Sequence, residues 1–280
     1  IHTVEMPDKV YALGAENNPS YETNILRFAY SSPVRSNSVY DYDLQKHERY
    51  LLKQKEIPSG HDPEEYTTER VLAKSHDGVM VPVTLLYRKK VVRDGSNPCL
   101  LYGYGSYGYP IDPSFRSTVY NYVDRGFIYA VAHIRGGGLL GERWYEDGKL
   151  LKKKNTFKDF IAAADYLVDE KYTSPKGIAI QGGSAGGLLI GAVVNERPDL
   201  FHVAVAEVPF VDVINTMLDP TIPLTVTEYD EWGNPHDENY FEYMFSYAPY
   251  EQVKEQDYPN LLVMAGLNDP RVQYWEPAKW

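Results

Sequence analysis

The stretch Ile178-Ala179-Ile180-Gln181-Gly182-Gly183-Ser184-Ala185-Gly186-Gly187-Leu188-Leu189-Ile190-Gly191-Ala192 decides the fold. Ile178 to Gln181 is a short apolar run of the kind a buried strand uses, and Gly187 to Ala192 begins a helix. Between them, Gly182-Gly183-Ser184-Ala185-Gly186 fits G-x-S-x-G, a sharp strand-to-helix turn with a serine at its tip. Small neighbours let strand and helix approach closely, while the serine backbone is held in a strained geometry that lifts its hydroxyl clear of the sheet edge. The same turn aims the Ala185 amide at an oxyanion developing beside Ser184, and the helix N-terminus adds partial positive charge. The alternative reading is a glycine-rich turn that only packs tightly.

Outward from this turn, strands alternate with helices. Cys99 to Tyr102 and Ile128 to Ala132 are compact apolar runs, as buried parallel strands require. Val203 to Val208 and Leu261 to Ala265 continue the series. Phe157, Phe160, Ile161, Ala164, Leu167 and Val168 fall on one helical face, and Thr156 with Asp159 offers that helix an N-terminal cap. Arg70 to Lys74 and Val79 to Tyr87 form a hairpin about Asp77-Gly78. This order predicts an α/β fold, a mostly parallel sheet with helices on both faces. Ahead of it, Ile25 to Tyr30, Val39 to Leu44 and Tyr50 to Lys53 read as a three-strand β-meander. Ser59-Gly60 and Asp62-Pro63 break the chain between Pro58 and Glu65, so the expected division is 1–64 and 65–280.

Composition narrows the function. With 28 Lys+Arg against 39 Asp+Glu the net charge is −11, which argues against a nucleic-acid partner. The acidity either favours cationic ligands or serves solubility. Cys99 is the only cysteine, so no internal disulfide forms; this suits a reducing compartment, and a cytoplasmic location is the expectation. No Cys/His cluster suggests a metal, and no cofactor is expected. No run is long and apolar enough to cross a bilayer, and Ile1 to Val10 lacks the pattern of a signal peptide.

Several longer segments carry a resemblance. Leu101-Tyr102-Gly103-Tyr104-Gly105-Ser106-Tyr107-Gly108, Ile134-Arg135-Gly136-Gly137-Gly138 and Gly182 to Gly187 resemble the prolyl oligopeptidase family. Trp144 to Lys149, Pro209 to Val213 and Tyr274 to Trp280 are similar to its oligopeptidase B branch. The resemblance implies a seven-bladed β-propeller joined to an α/β-hydrolase domain. The meander would then be the end of the last blade, and the rest of the propeller would lie outside this chain. It also implies a cytosolic serine peptidase that cleaves short peptides after Arg or Lys through an acyl-enzyme.

The triad order in α/β-hydrolases is Ser, then Asp or Glu, then His. Asp269, in the exit loop of the strand ending at Ala265, fits the acid by position and matches the family's catalytic aspartate; read alone, Asn268-Asp269-Pro270 is turn chemistry. No histidine follows it. His133, His202 and His236 all precede it and read as local hydrogen-bond or turn residues. In the family the histidine lies beyond the point where this chain ends, so a C-terminally incomplete and inactive catalytic domain is expected.

Tyr104 occupies the loop that supplies a second oxyanion donor, beside the Ala185 amide; packing is the competing role for any one of 25 tyrosines. Glu228-Tyr229-Asp230-Glu231-Trp232 is either a solvated acidic loop or a site for a guanidinium. The resemblance implies Glu228 as the main partner of a basic side chain, with Asp230 or Glu231 assisting, Phe210 lining the pocket and Arg271 gripping the substrate backbone. Ser114, near Asp112, stands where some relatives carry a second Asp, which puts a preference for a second basic residue in doubt. Leu139 stands where Glu is common. The rival functions are an acylaminoacyl peptidase or esterase on the same fold, and a non-catalytic hydrolase-like binding module.

Overall fold

The computed structural model describes residues 2–280. They group into two compact units that do not follow a single cut in the chain. The first runs to Arg70 and adds Thr84–Val91 and Asp112–Ile128; the second comprises Val71–Val83, Val92–Ile111 and Tyr129–Trp280. The expected boundary after residue 64 therefore falls inside the first unit.

In the first unit, β1 (Ala12–Ala15), β2 (Ile25–Ser31), β3 (Ser38–Asp43) and β4 (Glu48–Gln54) form an antiparallel sheet in sequential order. Phe28 and Tyr30 on β2 pack with Tyr42 on β3, so alternate residues supply the core, as the pleat dictates. β1 escaped the sequence reading because it is four residues long and mostly exposed, leaving no alternation to detect. The short helix α1 (Tyr120–Val123) also lies here.

The principal sheet has seven strands in the order β11-β10-β9-β7-β8-β6-β5. These are β5 (Tyr66–Lys74), β6 (Met80–Arg88), β7 (Cys99–Tyr102), β8 (Ile128–Ala132), β9 (Ile178–Gly183), β10 (Val203–Glu207) and β11 (Asn260–Met264). β7, β9, β10 and β11 are parallel neighbours in register: Tyr102 faces Gln181, Gly183 faces Glu207, and Glu207 faces Met264. Their carboxyl ends thus share one sheet edge, where open α/β sheets place their sites. The helices are α2 (Glu142–Glu146), α3 (Lys154–Asp169), α4 (Ala185–Glu196), α5 (Val213–Leu218), α6 (Thr225–Trp232), α7 (Glu238–Phe245) and α8 (Trp275–Lys279).

The predicted α3 is present, with Phe157, Phe160, Ile161, Ala164 and Leu167 buried. Its expected cap is not. The helix begins at Lys154, and Thr156 and Asp159 are buried inside it. Asp159 takes hydrogen bonds from Arg135 N (3.1 Å), Nε (2.8 Å) and Nη2 (2.6 Å), and Thr156 Oγ1 donates to the Arg135 carbonyl at 2.8 Å. A buried guanidinium has the stronger claim on a carboxylate than a helix end that water can serve. β11 stands apart. It is last in the sheet order, and Leu261, Leu262, Val263 and Met264 are all exposed.

Candidate active site

Ser184 caps α4 with φ 56° and ψ −118°, a backbone conformation costly for any residue with a side chain. Its neighbours enforce it. The Ser184 amide donates to the Glu207 carbonyl (2.8 Å), and the Ser184 carbonyl accepts from the amides of Gly187 (2.8 Å) and Phe210 (3.2 Å). A Cβ at Gly182 would lie 2.4 Å from the Gly186 carbonyl oxygen, and one at Gly187 would lie 2.4 Å from Pro209 Cα. Those two positions accept nothing but glycine without moving backbone. Ala185 is the first residue of α4, so its amide is among the first four N–H groups that no intrahelical carbonyl can satisfy.

Ser184 and Ala185 open into a cavity of about 280 Å³. Tyr104, Tyr107, Phe210, Glu228, Trp232 and Arg271 line it with them, all drawn from the same compact unit. Tyr104 follows β7 across Gly103, whose amide donates to the Gln181 carbonyl at 3.3 Å, so the loop is carried on the strand beside β9. Burial, reinforced by nearby Tyr102 and Glu228, pushes the Tyr104 phenol up to about 12. At neutral pH it is a protonated donor, and it has no hydrogen-bond acceptor among the described residues.

The acidic segment forms helix α6 rather than a loop, and helical spacing separates its carboxylates. Glu228 faces the cavity, and its Oε2 accepts from Tyr107 OH (2.7 Å) and from Trp232 Nε1 one turn on (2.9 Å). Its Oε1 accepts no hydrogen bond among the described residues. Asp230, two positions away, projects to a different side of a helix. It is exposed and does not line the cavity. Glu231 is buried; its oxygens take the Tyr107 amide (3.0 Å) and Tyr145 OH (2.6 Å). Phe210 is buried against the Trp232 ring at 5.3 Å. Arg271 is exposed on the cavity lining and forms no ion pair among the described residues.

Asp269 sits in the turn after β11. Its amide donates to the Gly266 carbonyl (3.1 Å), and its Oδ1 accepts from the amides of Arg271 (2.8 Å) and Val272 (3.1 Å). Val272 lines the cavity as Arg271 does, whereas Asp269 does not. Its Oδ2 accepts no hydrogen bond among the described residues. None of the histidines lines the cavity.

Glu276 was not singled out from the sequence. It is fully buried on α8; its Oε2 accepts from the amides of Val211 (2.9 Å) and Asp212 (3.0 Å), and Thr216 Oγ1 donates to its Oε1 (2.8 Å). Lys279, one turn on, pairs with Asp212. Glu276 thereby clamps the wall that carries Phe210 and Thr216. A single Glu between Trp275 and Pro277 gives no periodic signal, so only the packed structure reveals it.

The prolyl oligopeptidase family profile matches residues 113–280. Dipeptidyl aminopeptidase BI from Pseudoxanthomonas mexicana is 50% identical over 278 residues, covering 99% of this chain and 38% of that protein. Protease 2 from Moraxella lacunata is 43% identical over 280 residues, covering 100% of this chain and 41% of that protein. Oligopeptidase B from Trypanosoma brucei, in its closed form with covalently bound antipain, superposes with a TM-score of 0.92 at 49% identity, over 99% of this chain and 39% of that one. The chain thus spans about two fifths of the length of these relatives (38% and 41% of the two curated proteins). It carries an α/β-hydrolase fold preceded by an antiparallel meander. Sequence profile and three-dimensional shape agree over the segment that holds the serine elbow, and on that ground the chain belongs to the prolyl oligopeptidase family.

Proposed function

We propose that the protein carrying this chain is a serine oligopeptidase that hydrolyses short peptides after Arg or Lys. In this reading Ser184 Oγ attacks the scissile carbonyl carbon and gives its proton to a histidine supplied from outside residues 1–280. Asp269 holds that imidazole in the right tautomer through its open oxygen. Tyr104 OH and the Ala185 amide stabilise the oxyanion. The histidine then protonates the leaving amine, and water, deprotonated by the same base, releases the acyl group from Ser184.

The observation that carries the reading is Glu228, a carboxylate with one open oxygen in the same cavity as Ser184. A cationic side chain entering there gains a charge-assisted contact in a partly desolvated place. Phe210 and Trp232 flank it, and Arg271 would hold the substrate backbone. The remaining propeller and a C-terminal segment with the base are parts of the same protein in this account, and the chain alone is inactive. The apolar exposure of β11 supports a further element beside it. No metal or cofactor enters the scheme, and a cytoplasmic location is part of the proposal.

One relative's name, dipeptidyl aminopeptidase, favours a second reading, in which the same site requires a free substrate amino terminus. Kinetics of the full-length protein separate the possibilities. An N-blocked peptide amide ending in Arg should be cleaved with kcat/KM at least about a hundredfold above its neutral counterpart. Cleavage only when the amino terminus is free selects the second reading. Preference for a neutral ester selects an acylaminoacyl peptidase or esterase, and no turnover selects a hydrolase-like binding module.

A further inference from the structure

Lys152-Lys153-Lys154 has the look of a solvated basic run, yet Lys153 is 1% exposed. Its Nζ donates to the Gly105 carbonyl (2.6 Å) and to Ser106 Oγ (2.7 Å), and lies 4.9 Å from the Trp232 ring centroid. Burial pushes this amine down to about 8, opposed by the negative charge of Glu231. A buried ammonium is costly unless its donors are well used. Here they are used on the two residues directly after Tyr104.

The far end of the same loop is gripped by the opposite charge. Tyr107 has φ 59°, the left-handed region a tyrosine seldom enters, and its amide donates to Glu231 Oε1 at 3.0 Å. Glu231 is 3% exposed, and its other oxygen is held by Tyr145 OH. The loop is therefore fixed between Lys153, at the start of α3, and Glu231, on α6. Both act on it through its backbone: the Gly105 C=O and the Tyr107 N–H.

We propose that Lys153 and Glu231 are positioning residues that hold the Tyr104–Tyr107 loop where Tyr104 can donate to the oxyanion formed at Ser184. The claim rests on the oxyanion role assigned to Tyr104 above. An oxyanion donor acts only at hydrogen-bond distance from the transition-state oxygen, so a loop displaced by an ångström loses its effect on kcat while ground-state binding changes little. The kinetics are read on a neutral substrate, where the oxyanion alone is at stake. Because Tyr107 OH also holds Glu228 Oε2 (2.7 Å), a displaced loop adds a further loss for basic substrates, whereas loss of Glu228 itself would fall on basic substrates alone.

The test uses full-length protein and steady-state kinetics of Tyr104→Phe, Lys153→Met and the double variant, with folding checked by thermal melting. Tyr104→Phe should lower kcat about a hundredfold. Lys153→Met should lower kcat at least about tenfold with KM within about twofold. The double variant should be no slower than Tyr104→Phe alone, since a misplaced donor and an absent donor are one defect. Multiplying losses in the double variant overturn the proposal, as does an unchanged kcat for Lys153→Met beside a slow Tyr104→Phe. A wild-type kcat for Tyr104→Phe sinks the oxyanion assignment itself, a separate result. If Lys153→Met does not fold, Glu231→Gln replaces it: the amide keeps an acceptor for Tyr107 and a donor for Tyr145 but removes the charge facing Lys153. Its kcat loss must also vanish in the Tyr104→Phe background, and an additive loss contradicts the proposal.

Discussion

Ser184 and Asp269 both stand at exits of parallel strands, one at β9 and one at β11, yet the two exits are built differently. The β9 exit lies inside the sheet, with β10 and β7 on either side, and backbone on three sides leaves room only for glycine at 182 and 187. The β11 exit lies at the end of the sheet order, and the strand leading to it is exposed throughout. Close packing fixes Ser184. A few hydrogen bonds, chiefly those to Asp269 and Glu276, fix the loop after β11 and the cavity wall that carries Phe210. The Ser184 side is thus rigid by sterics, and the Asp269 side is adjustable by chemistry.

Substitutions that attack each side separately sharpen this contrast. Gly187→Ala forces a methyl group against Pro209 Cα, and should destabilise the chain by about 3 kcal/mol or more in urea unfolding. On the other side, Glu276→Ala leaves the Val211 and Asp212 amides without their acceptor, for a loss of about 2–3 kcal/mol in the same measurement. Equal tolerance of the two changes would erase the distinction.

A pH series probes the Asp269 side more finely. Burial is the main cause that pushes the Glu276 carboxyl from its ordinary 4.5 up to about 7, with Asp212 adding to it. Between those values the unfolded chain ionises this group while the folded chain keeps its proton. The stabilising contribution is therefore complete below about 4.5 and is lost as pH rises through about 7. Asp212, Lys279 and Glu251 share the neighbourhood, and burial pushes the Glu251 carboxyl up as well. Glu276→Gln, which carries no titrating proton, should gain on the wild type in unfolding free energy from pH 5 to pH 8. A constant difference across that range would contradict the assignment.

Smaller effects belong to exposed positions. Asp230→Asn should change kcat/KM of the full-length protein for basic peptides by less than about threefold, against about a hundredfold for Glu228→Gln. Leu262 is 53% exposed in residues 1–280, so in this chain alone Leu262→Lys should alter stability by no more than about 0.5 kcal/mol while reducing self-association in sedimentation. The loss should be larger in the full-length protein, where a further element is proposed to cover β11.

What the sequence disclosed follows the same division. The serine elbow was legible because sterics dictate glycine at fixed offsets, and the buried strands because their apolar runs are compact. Asp269 and Tyr104 were singled out by their place after strands together with family motifs, and of the two Tyr104 lines the cavity. Lys153, Glu231 and Glu276 were not legible as an inward-facing set, since burial of a charge depends on partners 45 or more positions away, such as Gly105 for Lys153 and Val211 for Glu276. The resemblance placed Asp230 or Glu231 beside Glu228, and which of them faces the cavity was not legible, because spacing around a helix at 225–232 sets the side each carboxylate takes. Thr156 and Asp159 had the spacing of a cap and serve Arg135 instead.

The most direct test is covalent. Full-length protein would be treated with matched diphenyl phosphonates bearing an Arg-like or a neutral side chain, followed by peptide mapping by mass spectrometry. Phosphonylation confined to Ser184, faster with the Arg-like reagent and slowed in Glu228→Gln, is the predicted result. Modification at another residue, or equal rates with both reagents, would contradict a nucleophile at Ser184 served by a cation-selecting Glu228.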